Sequence, residues 1–165
     1  MAGQTIGSRA ILIKLDATGT LEWYKTYDGV SSLRYMVLSG DNSKLIVQGQ
    51  SCDGCTIGAF ALTMAHGPYT AFIAAFDPSD GSVLWAVDAP ITHEVRLSPD
   101  GTSVYAMSQT TGNTDVLNLT DHQGQTTMLR SLGSWDLVAM KLDASNGAGI
   151  WAIDGGGGGM EYFHG

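Results

Sequence analysis

Residues 77–85 read DPSDGSVLW: an acid, a short polar stretch that ends in glycine, then aliphatic side chains and a tryptophan. The same phrase stands upstream as DATGTLEW at 16–23 and downstream as DASNGAGIW at 143–151. Asp16, Asp77 and Asp143 are 61 and 66 residues apart, and Trp23, Trp85 and Trp151 are 62 and 66 apart, a period that marks a repeated supersecondary unit. An apolar run precedes each acid, AILIKL at 10–15, AFIAAF at 71–76 and LVAMKL at 137–142. Each phrase therefore predicts a β-hairpin, its glycine supplying the positive φ that a tight connection requires.

A second hairpin alternates with the first. YMVLSGDNSKLIVQGQS at 35–51 and HEVRLSPDGTSVYAMSQT at 93–110 share a strand, a polar turn and a strand that ends in Gln and a small hydroxyl residue. GQT at 3–5 reads as the tail of the same element, and EYFHG at 161–165 as the beginning of another. Two hairpins per period make a four-stranded antiparallel sheet, and a radial series of such sheets is a β-propeller. The expected class is all-β, with about two complete blades and part-blades at both ends.

The wording Asp, turn residues, Gly, three residues, Trp resembles the tryptophan-containing repeat of quinoprotein-type propellers. DLVAMKLDASNG at 136–147, followed by GGGGGMEYFHG at 155–165, resembles the seven-bladed-propeller repeats of secreted and surface proteins. The resemblance implies that residues 1–165 are part of one propeller domain, with four strands per blade counted from the axis outward. One blade would span 34–88, with strands near 34–39, 44–51, 70–77 and 82–88. The next would span 93–154, with strands near 93–98, 102–109, 136–143 and 148–154. Residues 1–28 would hold the outer half of a preceding blade, and 155–165 the start of a following one. Trp23, Trp85 and Trp151 would pack between blades, since an aromatic that recurs in each unit fills the same gap each time. A ring needs roughly 4 to 8 blades, so the remaining blades are expected from the same chain or from partner copies.

Composition narrows the function. Sixteen acidic against eight basic residues leave a net charge of −8, which repels a phosphate backbone, so nucleic acid is not an expected partner. No apolar stretch approaches the ~20 residues of a membrane span, and the first ten residues lack the apolar segment of a signal peptide. Two connections, 52–69 and 111–134, far exceed the usual hairpin loop of about 2 to 5 residues, and recognition tends to be placed in such loops. The first holds the CDGC pair Cys52 and Cys55, which lacks the further ligands of a zinc site and is read as a local disulfide or two thiols, with the disulfide predicted. It would pin the base of the insertion so that Ala59, Phe60 and Leu62 sit over the blade. The second holds the glycosylation sequon Asn118-Leu119-Thr120. Together these features point to an extracellular or secretory-pathway location.

Catalytic signals are weak. His66 and His122 lie in the long loops without a recognisable nucleophile arrangement, and with Tyr69 they are candidate binding-loop residues. The turn acids lack the alternating carboxylates of a calcium cage, and no cofactor is expected. The expectation is a non-catalytic module that binds protein or glycan through the long loops of one face, or serves as a building block of an extracellular assembly. The alternative is a fragment of a propeller enzyme such as a quinone-cofactor dehydrogenase.

Overall fold

The computed structural model describes residues 9–52, 54–62, 70–89, 91–111, 116–120, 126–130 and 135–156, and every regular element among them is a strand. The first hairpin is β1 (Arg9–Leu15) with β2 (Leu21–Asp28). There follow β3 (Val30–Leu38), β4 (Leu45–Ser51), β5 (Thr56–Ile57), β6 (Phe60–Ala61), β7 (Thr70–Phe76) and β8 (Val83–Ala89). The last group is β9 (Ile91–Leu97), β10 (Ser103–Thr111), β11 (Val116–Thr120), β12 (Thr126–Arg130), β13 (Trp135–Asp143) and β14 (Gly149–Gly155). Two four-stranded antiparallel sheets result, in the orders β3-β4-β7-β8 and β9-β10-β13-β14, each built from two successive hairpins.

The turns explain why the hairpins form. In each phrase the acid bends the chain by accepting backbone N–H groups on its own carboxylate: Asp16 from Thr18 (2.8 Å) and Thr20 (2.9 Å), Asp77 from Ser79 (2.7 Å), Asp143 from Ser145 (2.7 Å). The glycine then donates its N–H back to the carbonyl of that acid, at 3.0 Å for Gly19 and 2.8 Å for Gly81 and Gly147. The register slips at the same place in all three hairpins, at Lys14/Leu15, Ala75/Phe76 and Lys141/Leu142. Such a bulge re-aims the side chain beside it. It sets Trp23, Trp85 and Trp151 opposite Lys14, Ala75 and Lys141.

The first hairpin, a two-stranded sheet, and the two four-stranded sheets stack in that order through two cores. Ala10, Leu12 and Tyr27 of the first hairpin pack with Val47, Phe72, Ala74 and Phe76 of the middle sheet. From the opposite face of that sheet Ile46, Ile73, Ala75 and Trp85 pack with Val95, Val104, Val138, Met140 and Leu142 of the third. Strand β7 is thus buried on both faces, which is why AFIAAF is unbroken apolar rather than alternating. Each of its phenylalanines, wholly shielded from water, contributes about 1.5–3 kcal/mol.

One strand boundary and the two long connections differ from the sequence-based expectation. Strand β3 begins at Val30 instead of near 34, because Gly29 alone joins β2 to β3 and register shifts at Val30/Ser32 and Leu33/Tyr35 absorb the extra residues. The long connections are not plain loops: the first contains the small hairpin β5-β6 and the second the hairpin β11-β12.

Candidate functional site

The most elaborate side-chain arrangement is at the two junctions between sheets, and it is the same arrangement twice. The indole of Trp23 donates to the carbonyl of Pro78 at 3.2 Å, and that of Trp85 to the carbonyl of Ala144 at 3.1 Å. Both acceptors are the residue after the acid in the following turn. The ring then lies on the glycine of that turn: a Cβ at Gly81 would stand 2.9 Å from Trp23 Cζ3, and one at Gly147 would stand 2.6 Å from Trp85 Cε3. Each of these glycines meets two demands, a positive φ (75° and 77°) and close approach of an aromatic ring. Tyr27 seals the first junction by donating to the carbonyl of Gly81 at 2.6 Å. Burial pushes its hydroxyl up to about 12, with the charge of Asp80 adding to the shift. Among the described residues no such turn lies against Trp151. It is 40% exposed, against 3% for Trp85, and its ring lies 6.3 Å from that of Tyr105.

The cysteine loop forms a second constellation. Cys52 and Cys55 are joined by a disulfide, their Cα atoms 5.3 Å apart. The Cys52 N–H donates to the Gly29 carbonyl (3.2 Å), the Ser51 hydroxyl to the same carbonyl (2.9 Å), and Leu62 N–H to the Cys55 carbonyl (2.9 Å). Gly29 is pressed against the bridge, since a Cβ there would lie 2.8 Å from Cys55 Sγ. The disulfide therefore braces the one-residue link between the first two sheets. Ile57 and Leu62 are wholly buried in the first core and Phe60 packs against it, whereas Ala59 faces solvent.

Beside this loop runs an open groove of about 410 Å³, bordered by Lys25, Tyr27 and Asp28 on β2 and by Thr56, Gly58 and Ser82 opposite. It juxtaposes a cation, an anion and hydroxyl groups without a nucleophile–base pair. Among the described residues no three His, Cys, Asp or Glu side chains converge as metal ligands, and no helix is long and apolar enough to cross a membrane.

Of the sequence-predicted site residues, Asn118 stands on β11 opposite Met128. His66, Tyr69 and His122 lie outside the described residues, as do 1–8 and 157–165, read above as the ends of flanking part-blades. Sequence reasoning singled out the tryptophans and the cysteines and missed Tyr27, Gly29 and the contact role of Gly81 and Gly147. The signal for the last two was present in the fixed spacing of glycine to tryptophan. Comparison with protein-family models, with curated proteins and with solved structures gave no match.

Proposed function

We propose that these residues are consecutive blades of a β-propeller in a secreted or cell-surface protein, a non-catalytic module that binds protein or glycan through its long connections or builds an extracellular assembly. The observation that carries this reading is the repeated junction: tryptophan on the glycine of the next turn, indole N–H on the carbonyl after the acid, at Trp23 and again at Trp85. A contact that recurs with the sequence period lets sheets be added in series, each touching only its neighbours. The Cys52–Cys55 bridge supports an oxidising compartment, and the sequon at Asn118 fits the same location.

Peptide mapping without reductant, on the protein isolated from its native source, tests the location. The expected result is a bridged Cys52–Cys55 peptide and a glycan on Asn118. Two alkylated thiols and a bare Asn118 would remove the extracellular reading. Binding by the loop face is tested on a glycan array, where the His66→Ala, Tyr69→Ala and His122→Ala variants are expected to lose signal while retaining the wild-type melting temperature. Stoichiometric uptake of a quinone, seen by absorbance, would instead favour the dehydrogenase alternative.

A further inference from the structure

The two outer faces of the described sheets are the two halves of the junction seen between them. On the first hairpin Ile11, Ile13 and Leu15 are five, three and one residues before Asp16, as Phe72, Ala74 and Phe76 are before Asp77. The inner set is fully buried under the neighbouring sheet, while Ile11 and Ile13 are 56% exposed and Leu15, Leu21 and Tyr24 are open beside them. The turn above this face carries Gly19 at φ 85°, with nothing within 4 Å of its Cβ position. At Gly81 and Gly147 the same seat holds an indole, and among the described residues none lies on Gly19. At the other end Trp151, Ile153 and Tyr105 are exposed at the places where Trp85, Val87 and Ile46 enter the second core.

We infer that the face of the third sheet docks on the first hairpin of a second copy of this chain, head to tail. Trp151 seats on Gly19 of that copy and donates its indole N–H to the carbonyl of Ala17, the residue after Asp16, as Trp23 and Trp85 do to Pro78 and Ala144. Both halves of the contact are present on one chain, so a second copy is the occupant with the required chemistry, and the interface is heterologous, able to close a ring or to run on as a filament. The inference rests on reading the sheets as successive blades for the ring outcome; the contact itself rests on the repeated junction.

The experiment uses the 165-residue chain and two surface variants, Trp151→Ser and Ile13→Glu, each altered on one end face only. Sedimentation of the wild type is expected to show concentration-dependent association, and either variant alone is expected to be a monomer with its association constant reduced about thirty-fold or more. An equimolar mixture of the two retains one intact junction and is expected to give a heterodimer and nothing larger. A wild-type chain that is folded by circular dichroism yet monomeric at about 0.1 mM, or a mixture that stays monomeric, would overturn the docking. Association that ends in a particle of fixed mass supports the propeller as well, whereas open filaments would keep the contact and defeat the propeller reading.

Discussion

At the scale of single residues, the chain uses aspartate as a hinge pin. Asp41 and Asp100, in the turns SGDNS and SPDGT, repeat the trick of the turns at Asp16, Asp77 and Asp143. Asp100 accepts from the Ser98 hydroxyl (2.5 Å), the Thr102 N–H (3.1 Å) and the Thr102 hydroxyl (2.8 Å). These bonds, that of Ser98 foremost, hold the Asp100 carboxyl down to about 2 from its ordinary 3.8, and those from Ser39 and Ser43 hold Asp41 far below the usual range. A carboxyl depressed in the folded state stabilises above its unfolded pKa and loses that contribution as pH falls through the folded one. Asp100→Ala is therefore expected to lower the melting temperature at pH 6, and the gap to wild type should close between pH 3.8 and about 2. Asp100→Asn, which keeps one acceptor oxygen, should lose less and show no such window. Thermal unfolding followed across that range checks both.

At the scale of elements, the hairpins were legible because acid, glycine and apolar run recur together, and their order in the sheets follows from chain order. The early start of β3 was not legible, because a bulge adds residues without changing composition and is fixed by the partner strand. The β5-β6 hairpin was hidden because two-residue strands cannot show a period of two, and β11-β12 because neither VLNLT nor TTMLR alternates apolar with polar residues throughout. In the cysteine loop the bridge was readable from spacing, but its partner Gly29 comes from a link 23 residues upstream and is visible only in three dimensions. The ring closes over a sequence separation of three, so chain entropy yields no more than about 2 kcal/mol. The paired Cys52→Ser, Cys55→Ser variant should thus lose at most that much global stability. Its effect should appear locally, as faster amide exchange at Cys55 and Leu62, whose hydrogen bonds secure the base of the insertion. Unchanged exchange there would mean that the backbone bonds alone secure it.

At the scale of the whole molecule, the same indole has two values according to what lies beyond it. Trp85 is enclosed by the third sheet and bonded to Ala144, so Trp85→Ala should cost about 3–5 kcal/mol through the cavity and the unpaired carbonyl. Trp151→Ala, measured by denaturant at low micromolar concentration where copies stay apart, should change stability by no more than about 0.5 kcal/mol. Equal losses at the two sites would mean that the third sheet is covered even in the monomer. The tryptophans were found from the sequence because they repeat; their different surroundings were not, since exposure depends on which sheet follows. The repeated junction also has a direction, indole on one side and glycine turn on the other. A unit copied in tandem in the same sense would arrive with both faces already fitted to its neighbours. An inverted copy would set indole against indole and turn against turn. Descent by duplication can therefore lengthen such a chain one whole unit at a time, and each duplicate is free to diverge in its long connections while its two contact faces stay under constraint.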